Sequence, residues 1–470
     1  MNPAEPGPAS ARPARTAASP SAPGPARGST PVPATGSATG AGAPGAADST
    51  ADGAADGAAD GDTRLRKGSP GYRRANLALF AAGLATFALL YSTQALLPAL
   101  SEGLRLSPAQ ASLSVSVCTG ALAVALLPMS ALSERGIPLG RGRGAGRIRV
   151  MTVSVFGASL LALAVPFSPN LGVLVALRAA QGLALAGLPA TAMAYLAEEV
   201  HPSAVPSAIG LYVAGNSIGG MSSRVAGGAL AQAYGWRAAL LAVGLASLAC
   251  AVAFRVLAPP ARHFTPGPIR PGAVARTVAG HLAHRGLRSM YAVGLLFMAV
   301  FGAVYTVLGY RLTAAPYGLS QAAVGAIFLV YLVGTAASAV SGAVQARLGR
   351  RGVFALALAL CAAGLLLTLA GALWLILLGL VLVTAGFFTG HAAASGAVSR
   401  TATTGRAQAS ALYLTAYYIG NSLGGTLGAS AYHAARWPAT TAVALTAVAL
   451  ATRPALRDPR GLAPVRDRRR

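Results

Sequence analysis

The sequence predicts an all-α membrane protein with 12 transmembrane helices arranged as two pseudo-symmetric six-helix bundles, and three observations predict it. Of 470 residues, 54% are hydrophobic and 10% are charged, whereas an ordinary soluble domain carries about a quarter charged residues. Beyond residue 75 the apolar residues gather into 12 stretches, most of them near the roughly 20 helical residues that a hydrocarbon core asks for. The hexapeptide GNS(I/L)GG occurs at Gly215 to Gly220 and again at Gly420 to Gly425, 205 residues on, so the two halves echo each other.

Taken in order, residues 1–74 are dominated by Ala, Gly, Pro and Ser, with an ADGAADGAADGD tract and no stretch able to bury a core. They read as a disordered tail. Without an apolar segment followed by a cleavage site the tail is not a signal peptide. Helices of the first half (75–257) are expected at about 76–100, 109–132, 149–168, 171–197, 205–231 and 236–257. A Pro-, Arg- and His-rich central loop, 258–287, separates them from the second half (288–452), with helices at about 288–313, 320–345, 352–371, 373–399, 407–433 and 437–452. Ser168-Pro169-Asn170, His201-Pro202 and Trp437-Pro438 mark boundaries, because proline and short polar residues end helices. A basic tail, 453–470, closes the chain.

Arginine placement sets the expected orientation, since basic loops stay on the cytoplasmic side. Of 22 arginines between residues 75 and 452, 16 lie in loops on the side of the termini, four on the other side and two inside helices. Both termini are therefore expected in the cytoplasm, with the protein in the plasma (inner) membrane. The net charge of +25 is spread over loops facing anionic lipid, not gathered on one face as nucleic-acid binding requires. Lipid, and not nucleic acid, is the expected polyanionic partner.

The repeat extends beyond the hexapeptide. LSPAQASL from Leu106 echoes LSQAAVGA from Leu319, each opening the second helix of its half. A six-plus-six repeat is a transporter architecture, with its site near mid-depth between the halves. The stretch Gly342 to Arg351, GAVQARLGRR, is similar to the G-x-L-x-D-R-x-G-R-R loop of the major facilitator superfamily. In the first half Glu134 and Arg135 stand for its acid and arginine, separated from Gly146-Arg147 by an insertion. Arg178, Gln181 and Gly182 match that family's R-x-x-Q-G. Gly210, Gly219, Gly227 and Gly228 keep the spacing of its antiporter motif, but Arg224 stands where proline is expected. Tyr91 to Leu100, YSTQALLPAL, looks like the first helix of its efflux-permease-like branch. The resemblance implies a monomeric transporter whose cytoplasmic gate comprises Glu134, Arg135, Arg347, Gly349, Arg350 and Arg351.

Candidate binding residues follow from cost. An ionisable group in hydrocarbon costs at least about 2.5–3.5 kcal/mol on insertion scales, so it marks a purpose. Arg178 and Arg224 sit at similar depth in the outer half; each meets an anionic group or biases protonation of a neighbour, or else holds the bundle through helix carbonyls. None of the 12 acids falls mid-helix, which argues against organic cations and toward neutral or anionic cargo. His391 is the embedded group that titrates nearest neutrality, hence the candidate proton carrier together with Arg178; the alternative is a hydrogen-bonded packing residue. Tyr91 and Gln94, three apart on one helical face, line the cavity or join helices, with Pro98 kinking the outer end. Gln181 and Tyr417 complete the set with Asn216 and Asn421, which are placed near mid-depth. Gly215, Gly219, Gly220, Gly227, Gly228, Gly420, Gly424 and Gly425 are expected to let neighbouring backbones approach. Glu198, Glu199 and His201 read as a solvated charge run.

Enzyme chemistry has no support in the motifs. No H-E-x-x-H or paired C-x-x-C occurs, Cys118, Cys250 and Cys361 have no paired spacing, and GRGRGAG from Gly140 lacks the lysine of a phosphate loop. No metal or cofactor is expected, and no ATPase domain is present, so energy would come from an ion gradient. The expectation is a secondary transporter, in the first instance a proton-coupled exporter of a sugar, amino acid, organic anion or drug. The alternative is a membrane sensor or scaffold on the same fold.

Overall fold

The computed structural model describes residues 63–135, 146–264 and 271–456. Among them every regular element is helical, and the one bridge of extended residues joins Leu65 to Val200. Nine runs among the described residues are long and apolar enough to cross a membrane. Three of these contain a break in the helical backbone: at Gly235 (φ 81°), at Gly349 (φ 69°) and at Ala435-Arg436, where Arg436 has φ 59°. Glycine reaches positive φ at little cost, which is why two of the three reversals use it.

Nine runs with three internal breaks make 12 helices. They are α1 (Pro70–Leu104), α2 (Pro108–Arg135), α3 (Gly146–Phe167), α4 (Leu171–Glu199), α5 (205–234) and α6 (236–257), then α7 (Arg285–Thr313), α8 (321–348), α9 (350–367), α10 (Leu373–Thr401), α11 (406–434) and α12 (437–456). In the linker a further helix spans Pro271–Ala283. An even number of crossings per half puts Pro70, the linker and Leu456 on one face of the bundle, called here the terminal face.

The first helix is not continuous. It ends at Tyr91, turns through Ser92 and Thr93, resumes as a 3-10 turn over Gln94–Leu96 and continues as Leu97–Leu104. The bend sequence reasoning assigned to Pro98 therefore lies several residues earlier, and Pro98 serves as an early residue of the resumed helix, where its missing N–H costs nothing.

The chain is tied down further toward its ends than the sequence suggests. Helix α1 starts at Pro70 with Ser69 as its N-cap, and α12 runs to Leu456. Residues 63–69, expected within the tail, lie against α4: Leu65 N donates to Glu199 O at 2.8 Å, and His201 N to Leu65 O at 3.0 Å. The remainder of the expected tail (1–62), the loop insertion (136–145) and the basic tail from 457 fall outside the described residues.

The acidic run ending α4 is also not simply solvated. Glu198 holds Arg147 through both carboxylate oxygens, at 2.5 and 2.6 Å. Glu199 is buried; Oε1 accepts from His263 N at 2.8 Å, and Oε2 lies 3.0 Å from His263 Nδ1. His263 Nε2 in turn lies 2.8 Å from Thr63 Oγ1. One carboxylate thus fastens both the segment before α1 and the start of the linker. Hydrogen bonds to charged groups are worth about 1.5–3 kcal/mol, so Glu199→Ala is expected to raise amide exchange at residues 63–65 and 261–264 by roughly tenfold or more, leaving that of α7 unchanged. Unchanged exchange in both segments contradicts the clamp.

Candidate functional site

The two GNS(I/L)GG copies do the same work in each half. A Cβ on Gly215 would lie 2.5 Å from Phe80 O, and one on Gly219 would overlap the main chain of Leu84. In the second half Gly420 meets the main chain of Leu295 and Gly424 that of Ala299. Glycines four apart form a smooth strip along which α5 lies on α1 and α11 on α7, backbone against backbone. Gly220 and Gly425 face side chains instead, Arg224 and Phe87 in one case and Thr306 and Ser116 in the other. Gly227 differs from its expectation, since a Cβ there would meet nothing within 4 Å.

The asparagines that follow these glycines part company. Asn421 is buried and Nδ2 donates to Thr119 Oγ1 at 3.2 Å, a bond from α11 of the second half to α2 of the first. Asn216 is half-buried and packs against α1, where a Cβ on Gly83 would be 2.6 Å from its Oδ1. Their equivalence in the repeat does not extend to what they touch.

Arg178 is fully buried and its donors are committed. Nε donates to Ser114 O at 2.6 Å, Nη2 to Leu90 O at 2.6 Å, and Nη1 to Leu89 O at 2.9 Å and Gln181 Oε1 at 2.5 Å. Gln181 Nε2 donates onward to Ala158 O at 3.2 Å. The R-x-x-Q spacing sets both side chains on one face of α4, and together they join α4 to α1, α2 and α3. The carbonyls of Leu89 and Leu90 both lie at the turn after Tyr91, where Leu89 O also accepts from Ser92 N and Oγ, and irregular backbone survives in a membrane only where protein groups satisfy it. At this position the geometry supplies the bundle-holding alternative, with every guanidinium nitrogen bonded to protein in a side chain that is fully buried.

Arg224 has a different environment. Nε and Nη2 both donate to Gln94 Oε1, at 2.9 and 2.5 Å, and Nη1 to Gly220 O. Its guanidinium carbon lies 4.4 Å from the ring centre of Tyr91, 5.0 Å from Phe328 and 5.2 Å from Tyr331. Tyr91 and Gln94 belong to the first half and Phe328 and Tyr331 to the second, so the cation stands at the seam. The turn over residues 92–96 breaks the helical face that Tyr91 and Gln94 were expected to share, yet Arg224 gathers both. The four described acids, Glu102, Glu134, Glu198 and Glu199, form no ion pair with it.

Beyond Tyr331 the second half presents a run of stacked rings that sequence reasoning largely missed. Phe301 stacks on Phe387 with centroids 4.2 Å apart; Phe387 stacks on His391 at 5.9 Å, and His391 lies 4.9 Å from Tyr417. Tyr413 Oη is 2.9 Å from His391 Nδ1, which gives the histidine a phenol as its polar neighbour. The signal was present as i, i+3 and i, i+4 spacings: Phe301 and Tyr305, Phe328 and Tyr331, Phe387 and His391, Tyr413 and Tyr417. Only the fold shows that the four pairs converge.

The ends of the bundle differ. On the face away from the termini, Gly228 and Gly325 bring α5 and α8 together, with a Cβ on Gly228 only 2.6 Å from Gln321 O. There Gln232 Oε1 accepts from Ala322 N at 3.1 Å, and Tyr310 Oη bonds Ser101 Oγ at 2.6 Å and Leu97 O at 2.9 Å. The halves are shut on that face. On the terminal face Gln408 Nε2 reaches Glu134 Oε1 at 3.4 Å from α11 to α2. Gly349 makes the turn from α8 to α9, Arg347 is exposed, and Arg350 lies 5.8 Å over Phe354 with Nη2 toward Met290 Sδ. Arg351 follows in α9, and α2 closes at Arg135.

Comparison with known proteins agrees with this architecture. The sequence model of the Major Facilitator Superfamily matches residues 77–312. The chain is 40% identical over 375 residues to an uncharacterized MFS-type transporter, YybF, of Bacillus subtilis (strain 168), covering 80% of this chain and 91% of that protein. To the inner membrane transport protein YnfM of Escherichia coli (strain K12) it is 39% identical, covering 79% and 87%. Its fold is similar to the crystal structure of a bacterial homolog of the human lysosomal transporter Spinster, in an inward-facing and unoccupied conformation, with TM-score 0.67, 16% identity and coverage of 83% of this chain and 98% of that one. With 12 helices in two repeated halves and relatives named as transporters over nearly their whole length, the chain belongs to the Major Facilitator Superfamily as a multi-pass membrane transporter.

Proposed function

We propose that this transporter is a proton-coupled exporter of a small neutral or anionic molecule, working by alternating access in the inner membrane with its terminal face in the cytoplasm. The observation that carries the cargo class is Arg224, a buried cation at the seam between the halves, set beside neutral oxygens and ring faces and paired with none of the described carboxylates. An organic cation would meet like charge there. Gln94, Tyr91 and Arg224 are the residues assigned to the cargo, with Tyr417 and Asn421 opposite; Asn216 holds α5 to α1. Arg178 and Gln181 position the broken first helix and do not contact cargo.

Glu134, with its bond to Gln408, and the Gly349 turn with Arg347, Arg350 and Arg351 form the cytoplasmic gate in this reading. The closed opposite face, through Gly228, Gly325 and Tyr310, corresponds to a state shut toward the outside. Cargo and proton drive exchange only by binding the two states with different strength. His391 is assigned the proton because it pairs with Tyr413 beside the ring wall that cargo would touch.

Everted vesicles loaded by an imposed pH gradient test the coupling. His391→Ala is expected to retain downhill flux and to lose at least tenfold of gradient-driven accumulation. A mutant that accumulates as the wild type does removes His391 from the mechanism, and accumulation that ignores the gradient in the wild type removes proton coupling altogether.

A further inference from the structure

Three features of the region between the halves point the same way. The cation is carried by one half only: Arg224 sits in α5, and the equivalent stretch of α11 offers Ala429 and Ser430. The half-exposed aromatic surface is carried by the other, Tyr91 of the first half being buried at 4.4 Å from the guanidinium carbon. Of the rings there, Phe301, Tyr305, Phe328 and Phe387 are buried and form the backing, while Tyr331, Phe388, His391 and Tyr417 remain half-buried. Charge and surface are neighbours, because Tyr331 lies 5.2 Å from the guanidinium carbon and 6.2 Å from Phe388. Finally, the Tyr331 hydroxyl is enclosed and makes no hydrogen bond among the described residues.

A buried cation facing rings is stabilised by each ring face, typically by about 0.5–2 kcal/mol, but it is not neutralised. An anion placed beside it removes the remaining cost and gains strength from the low dielectric. Flat rings meet other flat rings in offset or edge-on contacts with centroids about 4.5–7 Å apart, the spacing already seen within the wall.

We propose that the cargo is a planar aromatic anion, its charged group held at Arg224 on the first half and its ring laid against the Tyr331, Phe388, His391 and Tyr417 face of the second. The Tyr331 hydroxyl donates to the same charged group. This rests on the transporter reading and adds to it, because a molecule that touches both halves binds the two states unequally. Its two ends report on different walls: removing the charge of the site should cost anion recognition, and removing ring surface should cost shape recognition.

The full chain in nanodiscs, titrated with 2-naphthoate, cyclohexanecarboxylate and 2-naphthalenemethanol, tests it by calorimetry and by the shift in Tm. The expected result is that 2-naphthoate binds at least tenfold more tightly than either of the others. Arg224→Gln should bring 2-naphthoate down to the affinity of the alcohol, and Tyr331→Leu should bring it toward that of cyclohexanecarboxylate. If Arg224→Gln does not survive purification, Arg224→Lys keeps the charge without the flat guanidinium, and should still prefer 2-naphthoate to the alcohol while binding it several-fold more weakly. Equal affinity for the two carboxylates, tighter binding of the alcohol, no binding of any probe, or unchanged 2-naphthoate affinity in both the Arg224 and Tyr331 variants overturns the proposal. Counterflow in proteoliposomes separates this from the function itself. Binding of 2-naphthoate without flux of any solute refutes transport and keeps the site; flux of another solute without 2-naphthoate binding does the reverse.

Discussion

Arg178→Ala is expected to yield little folded protein, and what is recovered should melt far below the wild type. The substitution removes the Arg178 donors in a fully buried site: Leu90 O and Gln181 Oε1 lose their partner, whereas Leu89 O keeps the Ser92 N–H and Oγ and Ser114 O keeps its place in the ladder of α2. Interhelical hydrogen bonds in membranes average only about 0.6 kcal/mol each, but a buried acceptor left unpaired costs about 1–3 kcal/mol. Two acceptors left unpaired and two further bonds lost amount together to several kcal/mol against a total stability of about 5–15 kcal/mol. Arg178→Lys should not restore the protein, since one ammonium cannot span acceptors on α1 and α2 that a planar fork reaches from three nitrogens. The measurement is monodispersity and Tm in detergent, with flux assayed on whatever folds. Wild-type Tm with abolished flux would mean that Arg178 acts on cargo or proton and that its main-chain bonds are incidental.

Gly424→Ala should separate α11 from α7, with loss of transport and a lowered Tm, whereas Gly227→Ala should be tolerated. At Gly424 the added methyl would overlap the main chain of Ala299, and a helix backbone cannot rotate aside as a side chain can. Overpacking of this kind costs typically about 1–3 kcal/mol, and here the upper end applies because the whole strip from Gly420 must shift with it. At Gly227 nothing lies within 4 Å of the new atom, and alanine gains up to about 1 kcal/mol in helix propensity over glycine. The pair of variants separates close packing from glycine content as such. Equal Tm values for the two would contradict the backbone-contact account.

Much of this fold was legible because a bilayer imposes simple rules. Apolar length, polar punctuation and arginine bias locate crossings one by one, and each helix satisfies its own backbone, so local sequence suffices. The breaks at Gly235 and Gly349 were anticipated as boundaries for the same reason. The paired glycines were legible too, because a strip of small residues at spacing four has one physical use. Arg178 and Arg224 illustrate the limit. From the sequence they look alike: two arginines at similar depth in neighbouring helices. Whether a buried guanidinium is saturated by carbonyls or set among rings depends on which other helices stand beside it, and those residues lie 64 to 130 positions away in the chain.

The sequence by itself determined the class of the protein, its two repeated halves, its 12 crossings and the absence of any acid from the middle of one. These follow from composition and period, which act along one helix at a time. Only the tertiary structure decided that Arg178 mends the interrupted first helix, that Glu199 and His263 clamp the segment before α1 to the linker, and that Arg224 and a wall of rings from the opposite half meet at the seam. Those assignments depend on pairs of residues remote in sequence and adjacent in space, and a one-dimensional pattern carries no information on which remote pairs the packing of 12 helices selects.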